Sequence, residues 1–298
     1  MDLPEAVQAR IDAIRQNRTS GAVELAQQAA ESLVLLARKP QFSREALREA
    51  ARALVSAQPT MAPIFNLANR VLFRGTDDVE AACREFVRDM ENAAQAIAAL
   101  AAERIEDGGV VMTHSYSSTV LNALLAARRA GTRFDVICTE SRPLCEGVTL
   151  AKALAGNGIR VKLILDAAML GFVREARLIL TGADSVSVRG LMNKTGTAML
   201  ALAARTQGVD ACALCGSEKF LPAGYSQPAE RPKDPGEILA EPVPGVTAVN
   251  YYFDSTPLER FSGIVTEEGV LAPADLKIRL SALPVHDALL VPQSSPDP

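Results

Sequence analysis

Up to about Ile105, apolar residues recur three and four positions apart, the spacing of an amphipathic helix. Val23, Ala26, Ala30, Leu33 and Leu36 form one stripe, and Ser20 stands where it can cap that helix. Ser43 precedes a second stripe of Leu47, Ala50 and Leu54. Asp77 with Glu80 has the form of a capping box at the head of a long helix. Val79, Phe86, Met90, Ala94, Ile97, Ala101 and Ile105 share its apolar face. Between the second and third of these segments, Gln58-Pro59-Thr60-Met61-Ala62-Pro63 reads as a turn, because proline lacks the N–H that a helix interior needs.

From Gly108 the period changes. Short β-rich runs (VVMT, FDVICT, VKLIL, LILTG, ACALC and IVT) alternate with segments long enough to be crossover helices. That alternation predicts an α/β fold, a parallel sheet with helices on both faces. The domain organisation expected is a helical N-terminal domain over residues 1–105, a Rossmann-like domain over 106–283 that holds the ligand, and a flexible tail over 284–298. Pro222 to Gly245 is proline-rich and reads as a loop or lid.

Composition narrows the function. The chain has 298 residues, 48% of them hydrophobic, enough for a sizeable core. A formal net charge of -4 gives no reason to expect direct nucleic-acid binding. No apolar run is long enough to span a bilayer, and the N-terminus lacks the basic and apolar regions of a secretory signal. Five cysteines, an odd number, point to reduced thiols and a cytoplasmic setting. Cys212 and Cys215 form a CxxC without a second pair or a nearby histidine, so it reads as part of a buried strand.

In open α/β sheets ligands bind beyond the carboxyl ends of the strands, so the residues after each strand carry the candidate chemistry. They are His114-Ser115-Tyr116-Ser117-Ser118, then Glu140-Ser141-Arg142, Asp166, Asp184, Ser217-Glu218-Lys219 and Glu267-Glu268. Taken singly, each is an ordinary polar loop residue: His114 a hydrogen-bonded structural histidine, Asp184 a cap for the next turn, Glu267 and Glu268 solvated. Together they point to a small anionic ligand. Ser117 and Ser118 stand at a helix start, where free N–H groups favour phosphate, and Arg142 offers a planar fork to phosphate oxygens. Asn193-Lys194-Thr195-Gly196-Thr197 precedes another helix and would form a second anion pocket, though it lacks the order of a P-loop. Two such pockets suggest a ligand with two phosphates or one long phosphorylated sugar.

The stretches THSYSSTVLNALLAA, VICTESRPLCEG, LILDAA, LTGADSV, NKTGTAMLALAA and EKFLP, in this order, resemble one superfamily. It comprises the α, β and δ subunits of translation initiation factor 2B, ribose-1,5-bisphosphate isomerase and methylthioribose-1-phosphate isomerase. The resemblance implies a helical domain followed by a Rossmann-like domain, a homodimer or higher homo-oligomer, a phosphorylated pentose or nucleotide as ligand, and no metal or organic cofactor. In the isomerases, a cysteine follows the Thr-His of the first motif and an aspartate closes Gly-Ala-Asp. The thiolate would act as base at carbon and the carboxylic acid at the sugar oxygens. The aspartate is present here as Asp184, whereas the cysteine position is Ser115. A hydroxyl is a far poorer base than a thiolate unless another group activates it. Cys138, at the end of its strand, either approaches the site or is a buried structural thiol.

Two functions follow from these residues. The first is an aldose-ketose isomerase of the ribose-1,5-bisphosphate type, with Asp184 and Ser115 catalytic. Its substrate would be bound by His114, Ser117, Ser118, Glu140, Arg142, Asn193, Lys194 and Lys219. The second is a non-catalytic regulatory subunit that binds a sugar phosphate or nucleotide at the same edge, which Ser115 favours.

Overall fold

The computed structural model describes residues 3–17 and 20–290, and divides them into two compact units. The first comprises Met1–Glu91, Glu218–Pro228 and Lys277–Pro298; the second comprises Asn92–Ser217 and Ala229–Leu276.

The first unit is built from α1 (Glu5–Gln16), α2 (Ala22–Ala37), α3 (Arg44–Ala57), α4 (Ala62–Arg74) and the start of α5 (Val79–Ala102). The predicted stripes meet in one core that buries Leu33, Leu36, Leu47, Leu54, Ile64 and Leu67. Ser43 caps α3 by accepting the Ala46 N–H at 3.2 Å. The other two predicted caps are not formed. Ser20 is taken up by Asn17, whose amide donates to its hydroxyl at 3.0 Å, and Gly21 holds the cap position of α2. A cap residue needs extended backbone, and Asp77 already lies in a 3-10 turn, Thr76–Asp78. Glu80 therefore faces Arg38, 2.6 Å away, and does not reach back to a cap. Two later segments complete this unit. Asn66 Nδ2 donates to the carbonyls of Glu218 and Phe220, and Arg52 Nε donates to the Ala288 carbonyl at 2.8 Å. Ala288 and Leu289, in the stretch expected to be a loose tail, are buried in the core; residues 291–298 lie outside the described residues.

The second unit starts with β1 (Gly109–Thr113), α6 (Ser118–Arg129), β2 (Phe134–Thr139), α7 (Glu146–Gly156), β3 (Arg160–Ile164), α8 (Met169–Phe172) and β4 (Leu178–Thr181). It continues through β5 (Ser185–Ser187), β6 (Gly190–Lys194), α9 (Thr197–Gln207), β7 (Asp210–Leu214), β8 (Phe253–Thr256), β9 (Gly263–Thr266), β10 (Gly269–Leu271) and α10 (Pro273–Ala282). Each predicted apolar run is a strand. One sheet has seven strands in the order β10-β9-β7-β4-β1-β2-β3, parallel except for the β9–β10 hairpin. Val111, Val136, Cys138, Leu178, Leu180, Cys212 and Leu214 pack one face, against α5, α6 and α7. The CxxC cysteines are both buried, as a strand reading requires. A second sheet, β5-β6-β8, is antiparallel, and places Asn193 opposite Asp254 and Lys194 opposite Phe253.

The chain moves outward from β1 through β2 to β3, then returns to β4 on the other side of β1 and moves outward through β7. The order therefore reverses between β1 and β4, and the crevice beyond their carboxyl ends is where a sheet of this kind holds its ligand.

Candidate active site

His114 follows β1 directly and is 1% exposed. Its Nε2 lies 2.8 Å from the Thr195 carbonyl and its Nδ1 lies 2.6 Å from the Thr139 hydroxyl. A carbonyl only accepts, so Nε2 carries the proton and Nδ1 accepts from Thr139. Burial lowers the pKa of this imidazole and outweighs the Thr195 contact, which pulls the other way, so the ring is held neutral. His114 thus joins the ends of β1 and β2 to the turn after β6. Gly196 is required beside it: its φ is +111°, and a Cβ there would stand 2.8 Å from Nε2.

Ser115 is buried with φ 66°, Ser141 has φ 63° and Cys145 has φ 57°. Among the described residues these are the non-glycine positions with left-handed backbone, and all three line the carboxyl edge after β1 and β2. Such conformations cost about 1–3 kcal/mol each, and they concentrate where a function requires them. The Ser115 N–H donates to Ser141 Oγ at 2.8 Å, so the two strained turns lock together. Asp166, after β3, accepts the N–H groups of Ser141 and Arg142, both at 2.7 Å. Its two oxygens are committed to that turn, so it is a poor candidate for the base. The turn leaves the Arg142 side chain exposed, with no partner among the described residues.

Ser117 caps α6, accepting the Val120 N–H at 3.4 Å, and Ser118 is exposed in the first turn. The glycine of Gly-Ala-Asp lies against this cap: a Cβ on Gly182 would be 2.6 Å from Ser117 Oγ. Asp184 follows β4, half-buried, with its N–H on the Met192 carbonyl at 2.9 Å. Glu140 is half-buried after β2. Ser115, Ser117 and Asp184 are thus carried by loops on either side of the β1/β4 switch point.

Asn193 and Lys194 end β6, in the second sheet. Lys194 is 3% exposed and its Nζ lies 2.8 Å from Glu146 Oε1, in the first turn of α7. The second anion pocket expected at α9 is filled by the protein itself. Asp254 accepts the Gly196 N–H at 2.7 Å and the Ala198 N–H at 3.3 Å. Burial raises its pKa and those two N–H groups oppose the rise. Lys219 is buried and belongs to the first unit.

Cys138 does not approach the chemistry: it is in the strand core and burial pushes its thiol up to about 12. Local sequence missed Glu146 and Asp254 as site residues, since each acts through a contact distant in the chain, and it missed Cys145, whose left-handed backbone no pattern announces. Two cavities, of about 370 and 340 Å³, open at the opposite, amino edge of the main sheet. Arg133 and Arg160 on the second are paired with Asp107 at 2.6 Å and Asp135 at 2.8 Å. Their charges are spent on each other, and the strand direction favours the carboxyl edge. Among the described residues no helix is long and apolar enough to cross a membrane.

The initiation factor 2 subunit family model matches residues 17–273. The chain belongs to that family. Relatives within the family differ in what they are named for. An initiation factor eIF-2B subunit 2-like protein of Pyrococcus horikoshii is 35% identical over 278 residues, covering 91% of this chain and 98% of that one. A ribose 1,5-bisphosphate isomerase of Archaeoglobus fulgidus is 34% identical over 284 residues, covering 90% of each chain. The crystal structure of the translation initiation factor eIF-2B of P. horikoshii superposes with a TM-score of 0.80 at 35% identity, over 91% of this chain and 98% of that one.

Proposed function

We propose that this initiation factor 2 family member is a sugar-phosphate isomerase of the ribose-1,5-bisphosphate type. The observation that carries the reading is the set of strained turns, Ser115, Ser141 and Cys145, facing the switch point that Asp184 also flanks. Strain of this kind clusters at functional sites, and isomerase relatives at about a third identity support turnover there.

Opening the ring and moving the carbonyl shifts two hydrogens. O2 loses one while the ring oxygen gains one; C2 loses one while C1 gains one. Asp184 serves the oxygens, giving a proton to the ring oxygen and receiving the one from O2. The proton at carbon passes at position 115, where the isomerases of this family carry cysteine. Neutral His114 holds the loop ends in register. Arg142 and the first turn of α6, with Ser117 and Ser118, receive one phosphate; Asn193 orients the sugar, and Lys194 faces the other phosphate. Glu140 completes the binding set within the second unit.

The second reading, a regulatory subunit that binds the same ligand without turnover, is favoured by Ser115, whose hydroxyl has no activating base: His114 has both nitrogens engaged. We also propose a homodimer or higher homo-oligomer acting in the cytoplasm, with residues 1–105 as a helical domain and 106–283 as the ligand domain. A phosphorus NMR time course with ribose 1,5-bisphosphate tests the main reading. Loss of the anomeric phosphate signal with growth of a ketose bisphosphate supports it. Broadened lines without turnover favour the regulatory reading, and unchanged spectra reject both for this ligand.

A further inference from the structure

The loop after β7 returns to the site through Tyr252. Two ammonium groups lie over its ring, Lys194 Nζ at 5.0 Å and Lys233 Nζ at 5.3 Å from the centroid. The phenol donates to Glu237 at 2.5 and 2.7 Å, and Asn250 Nδ2 donates to the same carboxylate at 2.7 Å. The Lys233 N–H is held by the Asn250 carbonyl at 2.8 Å. This network fixes Lys233, with Glu230 one turn before it, beside the lysine of the candidate site.

Each lysine meets one carboxylate, and neither carboxylate has a full set of well-aligned donors. Glu146 gives Oε1 to Lys194 and leaves Oε2 buried without a partner. The Glu230 side chain is 9% exposed. Its Oε1 lies 3.3 Å from Lys233 Nζ without the alignment of a hydrogen bond, and both its oxygens are buried without an aligned donor. Burial raises the pKa of this carboxyl, against Lys233 and the backbone N–H of Tyr252, which face it. Buried acceptors that lack donors are rare in folded proteins because they have given up water for nothing. The missing partners are O–H or N–H groups, and the lysines beside them attract an anion. A polyhydroxylated phosphate brings both in one molecule.

Resting on the sugar-phosphate reading above, we propose that Glu230 and Glu146 read the hydroxyls of the sugar, while Lys194 and Lys233 hold an adjoining phosphate. Glu230 is then a specificity-determining residue contributed by the proline-rich loop. Its oxygens are covered in this structure, so the loop lifts to admit the ligand and recloses with the hydroxyls as donors.

Calorimetry on the full chain with ribose 5-phosphate and with inorganic phosphate tests this. Wild type is expected to prefer the sugar phosphate by about tenfold or more, the scale of hydrogen bonds to a charged group. Glu230→Gln is expected to lose most of that preference while keeping its affinity for inorganic phosphate. Glu230→Asp, which keeps the charge and shortens the reach, provides the same comparison where the amide variant unfolds on heating below wild type. An undiminished preference in a folded variant overturns the role of Glu230 and leaves the sugar-phosphate reading standing. Wild type that binds phosphate but shows no preference for the sugar overturns both.

Discussion

His114 donates its Nε2 proton to the carbonyl of Thr195, 2.8 Å away, across 81 residues of chain. This bond makes the histidine a brace and removes it as a base. Its pKa is lowered by burial, so the unfolded chain takes up a proton at this residue before the folded chain does. The stability it contributes is therefore present above the ordinary histidine value, near 6.5, and is lost as pH falls below it toward the folded value. Thermal unfolding from pH 8 to pH 5 should show a decline below about 6.5 that His114→Gln flattens. The variant should also be less stable at pH 8 by about 1–3 kcal/mol, because it orphans a buried partner. A pH profile identical in the two proteins would remove His114 as its source.

Ser115 offers a hydroxyl where family isomerases offer a thiol. Ser115→Cys is expected to raise ribose-1,5-bisphosphate turnover by an order of magnitude or more, since a thiolate is accessible near neutrality and an alkoxide is not. Phosphorus NMR of both proteins under one set of conditions decides it. A folded but inert cysteine variant would mean that more than one atom separates this chain from the isomerases.

Arg142 projects into solvent from a turn whose backbone is held by Asp166, so truncating the side chain leaves the turn intact. Arg142→Ala should weaken sugar-phosphate binding by about 2 kcal/mol with an unchanged melting temperature. Equal affinity in calorimetry would take Arg142 out of the site.

The cysteines give an independent test of the site's location. Cys83, Cys138, Cys212 and Cys215 are buried, and burial pushes Cys83 and Cys138 up to about 12; Cys145 is half-buried in the strained turn before α7. A thiol reagent should label Cys145 first in the native protein and the others only on unfolding. Saturating sugar phosphate should slow that labelling. Equal rates with and without ligand would place the ligand away from α7.

Much of this was legible in the chain because strands and helices are local. VVMT, FDVICT and LILTG announced their strands by β-branched content, and Ser43 and Ser117 announced their caps by position. Resemblance supplied the family and the significance of Asp184 and Ser115. What local pattern could not supply were pairings made at a distance. Asp77 looked like a cap until Gly75 and the 3-10 turn displaced it. The lysine of Asn193-Lys194 belongs to a sheet completed by β8, some sixty residues on, and its carboxylate partner is on α7. No periodicity near Thr197 indicates that Asp254 will fill the helix end.

That last contact bears on the conditions under which the protein works. Cells are rich in small inorganic anions, and a bare helix terminus would collect them indiscriminately. By carrying its own carboxylate at the start of α9, the chain is already neutralised there and competes for none of them. Arg142 and the first turn of α6 stay open to solvent, so background salt should act there, and the brace formed by buried His114 and the Thr195 carbonyl should be indifferent to it.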